Sequence, residues 1–311
     1  MKIYRYSQCT EIPEESTAVA LGFFDGVHAG HKRLLRTARE LAKQMNLTFT
    51  VFTFPSENGF KGSAALYTTE QKLELLEKEG VEAVVIAEFA SIANMSAEDF
   101  LEKSLLGDLK CRAAIAGEDF RFGKNALGDT ALLQKTLEEH GALCIIEEEH
   151  KIDGEKISTT AIKRLLQEGK PEEARRRLEA PYYISCTVEH GNGIGKTLGF
   201  PTVNTAFPSG TTPLKKGVYR TAVEIDGRLY NGITNVGNCP TFERRALHAE
   251  TYIIDYSGNL YGDKIRIFFL GYLREEKRFD DPKQLIMQIN VDKNTAIQQN
   301  GELKWQEIGL N

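Results

Sequence analysis

Short apolar runs alternate with segments of helical period over the first 180 residues. The runs fall at 16–24, 47–54, 81–87, 111–117 and 142–147, and 32–45, 70–80, 96–106 and 129–141 between them carry apolar side chains at helical spacing. This order predicts a β-α-β-α series. Leu34, Leu35, Ala38, Leu41, Ala42 and Met45 form one helical stripe, while 81–87 and 111–117 are nearly unbroken apolar runs. Strands of that kind are buried on both faces, so the pattern predicts a parallel sheet covered by helices.

From Pro181 the helical period gives way to β-rich runs at 182–189, 217–225, 229–236, 249–256 and 264–273, separated by turn residues. An antiparallel barrel or sandwich is the expected form. Asp226-Gly227 is a two-residue hairpin signal, because a type I′ turn needs positive φ at both positions. Asp281-Pro282 then opens a closing helix over 282–296, with proline in its first turn. The amphipathic segments 160–169 and 171–180 precede the change of pattern, so the expected division is 1–180 and 181–311. The expected class is α/β, with a second, antiparallel β-barrel domain.

A length of 311 residues exceeds the size at which one core stops growing and agrees with two domains. With 41% hydrophobic and 27% charged residues the chain is an ordinary globular protein. A net charge of −5 offers no long-range attraction to a polyanion, so no nucleic-acid partner is expected. The run Arg175-Arg176-Arg177 reads as a solvated helix face. Cys9, Cys111, Cys144, Cys186 and Cys239 are widely spaced without a CxxC pair, which argues against a disulfide framework or a zinc knuckle. No stretch has the apolar length of a signal peptide or a membrane span, and the chain reads as cytoplasmic with no membrane partner.

The first chemical constellation runs from Gly22 through Asp25-Gly26 to His28, Gly30 and His31, from the end of a buried strand into a helix. A helix start presents free amides and the positive end of its dipole to anions. Gly22 and Gly30 allow a ligand to approach the backbone closely. The segment 22–31 resembles the GxFDGxHxGH signature of the adenylyltransferase domain of bacterial bifunctional riboflavin kinase/FAD synthetases. The resemblance implies a Rossmann-like nucleotidyltransferase fold in which Gly22, Phe24, Asp25, His28, Gly30 and His31 bind ATP, the histidines on its phosphates. Residues 117–123 are similar to the family's GENFRFG-type segment. Residues 157–163 are similar to its ISSTxIR motif, which makes Lys156, Thr159 and Thr160 candidate ATP contacts.

Adenylyl transfer needs no base, because the attacking phosphate of FMN is already anionic; positioning and charge neutralisation suffice. One departure bears on it. Where the family reads TFxPHP, this chain has Ser56-Glu57-Asn58, and a carboxylate beside phosphates repels them. Lys163 also stands where the family has a bidentate arginine.

The second constellation is 191–204. It lacks the Walker A spacing, since His190 occupies the position of the first glycine, and it leads into Leu198-Gly199-Phe200-Pro201. A glycine-rich loop can still cradle phosphates through its amides. Thr202 and Asn204, two apart on an extended segment, share one side and offer neutral hard oxygens suited to Mg²⁺. The stretch resembles the riboflavin kinase signature GxGxGRxLGFPTAN, with Lys196 and Val203 in place of Arg and Ala. It implies phosphate or flavin contacts at Gly191, Gly193, Gly195, Lys196, Gly199 and Pro201, and Mg²⁺ binding by Thr202 and Asn204. Asn235 joins the phosphate and flavin set through 235–242, which is similar to NxGxRPTF with Cys239 replacing an arginine.

Phosphorylating a neutral ribityl hydroxyl benefits from a base. Strand alternation places Glu250 on one face with Tyr252, Ile254 and Tyr256, and the segment resembles the family's xExHLLDFxxDLYG, in which the glutamate is that base. Two readings remain open at this stage. One is a bifunctional enzyme that uses ATP and Mg²⁺ to turn riboflavin into FMN and FMN into FAD. The other is a riboflavin kinase with a regulatory nucleotide- or flavin-binding N-terminal domain. A regulator inactive at both sites is the third and remotest, since Thr202, Asn204 and Glu250 are all present.

Overall fold

The computed structural model describes residues 1–6, 13–57, 63–191, 194–238 and 247–304. Gly193, Cys9 and Cys239 lie outside the described residues, as does the side chain of Lys196. The chain divides into two compact units, Met1–Thr159 and Thr160–Asn311. That division falls earlier than the change of pattern at Pro181, because the two amphipathic helices before it group with the second unit.

The first unit is a parallel sheet of β1 (Lys2–Tyr6), β2 (Thr17–Leu21), β3 (Thr48–Thr53), β4 (Ala83–Ala87), β5 (Cys111–Gly117) and β6 (Leu143–Glu147), in the order β1-β4-β3-β2-β5-β6. Its helices are α1 (Ala29–Met45), α2 (Thr69–Lys78), α3 (Phe89–Ile92), α4 (Ala97–Asp99), which runs into a π-helix at Phe100–Asp108, and α5 (Thr130–Glu139). Period-2 alternation divides the strands between two cores. Ala18, Ala20, Val51 and Ile115 meet Leu34, Leu35, Ala38 and Leu76 on one face, and Val19, Leu21, Phe52 and Ala114 meet Phe100, Leu105, Leu133 and Leu137 on the other. The strand β1 was not expected, because an edge strand with exposed Lys2, Ile3 and Arg5 has no clean apolar pattern.

Strand order decides where the site lies. The chain steps outward from β2 to β3 and β4, then crosses back to pair β5 on the other side of β2. The carboxyl ends of β2 and β5 therefore flank the crevice where connections leave in opposite directions, the position at which open parallel sheets bind ligands. A small hairpin of β7 (Lys151–Ile152) and β8 (Glu155–Lys156) completes this unit.

The second unit begins with α6 (Thr159–Gln167) and α7 (Pro171–Leu178), followed by β9 (Tyr183–Glu189), the single helical turn α8 (Ile194–Thr197), β10 (Thr202–Ala206), β11 (Gly217–Ile225), β12 (Arg228–Asn238), β13 (Leu247–Ile253), β14 (Lys264–Arg274) and α9 (Pro282–Asn300). The strands close an antiparallel barrel in the order β10-β13-β12-β11-β14-β9. Of the two antiparallel forms expected, the barrel is the one found. Asp226 and Gly227 both take positive φ, 48° and 74°, in the turn joining β11 to β12, and Asp281 caps α9 ahead of Pro282. Inside the barrel the fully buried Thr221, Thr234 and Thr251 link their hydroxyls at 3.0 and 2.9 Å.

Polar anchors hold the helices to the barrel. Arg220 reaches Glu172 of α7 at 3.1 Å and Asn300 of α9 at 3.0 Å. Arg274 at the end of β14 grips both carboxylate oxygens of Asp292 in α9, at 2.7 to 3.1 Å. In the first unit the apolar contact of α1 does the corresponding work. Leu35 is fully buried, so Leu35→Ala is expected to destabilise that unit by about 3 kcal/mol, read as a lowered midpoint of its transition in chemical denaturation.

Candidate active sites

The turn leaving β2 is tightly constrained. Phe24, Gly26 and Val27 take positive φ of 51°, 87° and 42°, and the rings or side chains of Phe24 and Val27 are buried to 0% and 1% exposure. Strain of this kind persists only where the surroundings impose it. Asp25 supplies that hold: its Oδ1 accepts from the Leu66 amide at 2.8 Å and its carbonyl accepts from the Thr159 hydroxyl at 3.0 Å. Phe24 and Asp25 were expected among the ATP contacts. The structure places both side chains inside, Phe24 in the core and Asp25 on the Leu66 amide, where they shape the turn.

The same turn delivers His28 as the N-cap of α1, where its Nδ1 accepts from the His31 amide at 3.3 Å. Nδ1 is thereby the acceptor, and in the neutral ring Nε2 carries the hydrogen. The two rings stack with centroids 3.6 Å apart. Burial pushes His28 down to about 4 and His31 well below its ordinary value, with His28 and Lys72 adding to the effect at His31. Burial therefore favours the neutral form of both imidazoles. Gly30 allows this packing, since a Cβ there would stand 3.3 Å from the His28 ring. A Cβ at Gly22 would lie 3.1 Å from the Phe24 ring.

Lys156 is held by Asp119 at 2.9 Å and by Glu149, and hydrogen bonding to Glu149 raises its pKa. A phosphate must compete with these carboxylates for it. Thr159 is committed to the Asp25 carbonyl, and Thr160 is exposed in the first turn of α6. Glu57 is differently placed from what its sequence context suggested. Its carboxylate accepts from the Thr69 amide at 2.7 Å and from the Thr69 hydroxyl, at the start of α2. Partial burial pushes it up, but the Thr69 hydroxyl and amide, with Lys72 nearby, hold it below the usual carboxylate range. The charge expected to repel phosphates is thus tied to a helix N-terminus.

An aromatic pocket of about 730 Å³ opens at the carboxyl ends of β2, β3 and β5, lined by Phe23, Phe54, Phe89, Phe120 and Phe122. Phe23 and Phe54 stack at 6.5 Å, and Phe89 meets Phe54 edge-on at 6.1 Å. Pattern reading missed this pocket. The only signal was the density of phenylalanines in 23–24, 49–54 and 120–122, which strand burial alone would also explain.

In the barrel, Glu250 of β13 lies in register between Asn204 of β10 and Asn235 of β12. The Thr202 hydroxyl donates to Glu250 Oε1 at 2.8 Å. Ala249, Thr251 and Ile253 are buried inside while Glu250 faces outward, as alternation required. The alternation ends with the strand at Ile253, so Ile254 turns inward to 3% exposure and Tyr256 pairs with Tyr230 instead of joining Glu250. Asn235 Nδ2 donates to Glu276 at 3.3 Å, and among the described residues its buried Oδ1 has no hydrogen-bond partner.

Thr202, Glu250, Asn235 and Glu276 line a pocket of about 430 Å³ on the outside of the barrel, closed by Leu285, Ile289 and Asp292 of α9, with Arg274 and Phe279 beside them; Asn204 is not part of its lining. The glycine loop contributes as a bend. A Cβ at Gly191 would stand 2.0 Å from the Asn204 carboxamide, and one at Gly195 would stand 2.4 Å from the Phe200 carbonyl. Gly199 takes φ of 85°, Pro201 is exposed, and the one-turn helix α8 between glycines departs from a P-loop. Glu276, Arg274 and Asp292 were given no role from sequence; Arg274 and Glu276 fall in 273–279, which is similar to the family's LRxExxF motif, and Asp292 comes to the pocket through helix docking.

Residues 10–161 match the FAD synthetase family and residues 178–299 the riboflavin kinase family. The two matches define the class, an FAD synthetase domain and a riboflavin kinase domain on one chain. A Haemophilus influenzae protein described as a bifunctional riboflavin kinase/FMN adenylyltransferase is 34% identical over 289 residues, 91% of this chain and 94% of that one. Proteins of the same description from Bacillus subtilis and Escherichia coli K12 are each 33% identical, over 91% and 95% of this chain and 92% and 97% of theirs. The chain belongs to the bifunctional riboflavin kinase/FMN adenylyltransferase family. A crystal structure described as a macrolide-efflux protein from Streptococcus pneumoniae has a TM-score of 0.87 at 27% identity, over 97% of this chain and 100% of that one. Efflux is that protein's description; among the described residues here no helix is long and apolar enough to cross a membrane.

The buried histidine sets a pH dependence. The folded pKa of His28 lies below the unfolded one, so its contribution is present above about pH 6.5 and is lost as pH falls toward 4. His28 by itself is expected to cost the first unit up to about 3 kcal/mol across that window, His31 adds to the loss in the same direction, and His28→Gln is expected to lose less than the wild type, measured by denaturation at a series of pH values.

Proposed function

We propose that the barrel transfers the γ-phosphoryl group of ATP to the ribityl hydroxyl of riboflavin, and that the parallel-sheet domain joins AMP from a second ATP to the resulting FMN. The observation that carries the first step is the 2.8 Å bond from Thr202 to Glu250 at the mouth of the barrel pocket. The bond orients the carboxylate, and Asn204 and Asn235 flank it in register. Glu250 takes the proton as the hydroxyl oxygen bonds to the γ-phosphorus, and ADP leaves as the bridging oxygen–phosphorus bond breaks. Glycines 191, 195 and 199 let the loop approach the phosphates, and Gly193 and Lys196 extend the same loop.

Mg²⁺ fits the donor set. A hydroxyl and a carboxamide are neutral hard oxygens, and among the described residues no group of three His, Cys, Asp or Glu side chains gathers to hold an ion without phosphate oxygens. Thr202 and Asn204 would hold it, and when bound it would neutralise charge on the phosphates.

In the first unit FMN places its flavin in the aromatic pocket and its phosphate toward the start of α1, where His28 Nε2–H and the first amides of the helix meet the ATP phosphates. A phosphate oxygen of FMN bonds to the α-phosphorus of ATP, and pyrophosphate leaves. Lys156, Thr159 and Thr160 stand as contacts from 156–160, Lys156 after exchange of its carboxylate partners. The free thiols of Cys111, Cys144 and Cys186 suit a reducing cytoplasmic setting, and the partners are small molecules.

A kinase with a regulatory N-terminal domain rested on Glu57, and the capture of that carboxylate by Thr69 removes its reason. Incubation with riboflavin, ATP and Mg²⁺, followed by chromatography of the flavins, is expected to show FMN and then FAD; FMN alone would restore the regulatory reading. Glu250→Gln is expected to slow FMN formation by about 10²- to 10⁴-fold while FAD formation from supplied FMN is unchanged. FMN formation at the wild-type rate would remove Glu250 as the base.

A further inference from the structure

Lys72 sits in the first turns of α2 at 1% exposure, although among the described residues no carboxylate touches its ammonium group. A buried lysine without a contacting acid is rare, and its charge must be met by other acceptors. Here Nζ donates to the Phe23 carbonyl at 3.2 Å, to the Thr53 hydroxyl at 3.4 Å and to the Phe54 carbonyl, with the Phe23 ring 4.7 Å away. Thr53 passes its own hydrogen to the Phe23 carbonyl at 2.9 Å, which leaves its oxygen free to accept. An ammonium group has three hydrogens, and three acceptors surround it.

The location gives this arrangement a consequence. β2 and β3 pair up to Leu21 and Phe52, and the Gly22 amide reaches the Phe52 carbonyl at 3.3 Å. Beyond that point the two chains part, and Lys72 joins them from behind the aromatic pocket. Phe23 and Phe54, whose backbones it holds, both line that pocket.

We propose that Lys72 is a positioning residue for FMN in the adenylyl transfer step, fixing the Phe23 and Phe54 walls of the flavin pocket by bridging the ends of β2 and β3. This rests on the reading that the flavin of FMN enters that pocket. The bridge depends on protonation, because a neutral amine has two hydrogens for three acceptors. Burial pushes Lys72 down to about 8, against the pull of Asp25 and Glu57. The groups facing it are Asp25 from the turn after β2, Glu57 from the loop after β3 and His31 from α1. His31 is held neutral, carboxylates ordinarily titrate far below pH 7, and the second ionisation of a phosphate monoester is centred near about pH 6 and is nearly complete by neutrality. Loosening of the pocket above neutrality therefore follows Lys72.

The test measures KM for FMN and for ATP in FAD synthesis by the full-length wild type, Lys72→Met and Phe54→Ala, from about pH 7 to pH 9. The wild-type KM for FMN is expected to rise across this range. Lys72→Met is expected to raise KM for FMN by about ten-fold at pH 7, to remove its pH dependence and to leave KM for ATP within about two-fold. Its riboflavin phosphorylation remains at the wild-type rate. A wild-type KM for FMN that is flat with pH would overturn the proposal without any variant, as would an unchanged KM for FMN in Lys72→Met. A general loss of packing would move the KM for ATP as well, and that result also counts against it. Phe54→Ala separates the two readings: if it leaves KM for FMN unchanged, the flavin pocket itself is misplaced, whereas a rise there without one in Lys72→Met defeats only the role of Lys72.

Discussion

The grip of Asp25 on the turn after β2 supports the whole first site. One buried carboxylate receives the Leu66 amide, and the adjoining carbonyl receives the Thr159 hydroxyl, so a segment with positive φ at Phe24 and Val27 is held from two distant parts of the chain. Everything useful in this unit hangs from that turn. It ends in His28, which caps α1, and it passes through Phe23, whose ring enters the aromatic pocket and whose carbonyl meets Lys72. Because β2 lies where the chain reverses direction across the sheet, the turn faces a crevice rather than a helix.

Among the described residues, the polar groups of both candidate sites are largely committed to protein partners. In the first, stacked neutral imidazoles and a helix start provide donors, while Glu57 is tied to Thr69 and Lys156 to Asp119 and Glu149. In the second, Thr202, Asn204 and Asn235 surround Glu250 with hydroxyl and carboxamide groups. Groups already held by partners, as Thr202 and Glu250 are, need little rearrangement to present a fixed electrostatic environment. The barrel places its groups outward because its interior is filled by side chains such as Thr221, Thr234 and Thr251; the closing helix α9, latched through Arg274 and Asp292, then makes a pocket of what would be an open surface.

The sequence by itself determined most of the elements and named the candidate residues for chemistry. Period-2 and helical repeats are local, so the buried strands 17–21, 83–87 and 111–117, the α1 stripe and the Asp226-Gly227 turn could all be read from neighbours along the chain. The glycine and histidine spacing of 22–31 and the Pro-Thr-Val-Asn segment were legible for the same reason. Tertiary structure alone decided the rest, because burial and register join residues far apart in sequence. The edge strand Lys2–Tyr6 exists through its pairing with β4; Glu250 meets Thr202 only through the barrel register; and the state of His28 and His31 depends on burial rather than on their spacing. The same holds for Glu57, which the sequence presents as a charge that repels phosphates, and for Lys72, which it presents as an ordinary surface charge. Their roles come from Thr69 at a helix start and from three acceptors at the ends of two strands, and no local pattern encodes either meeting.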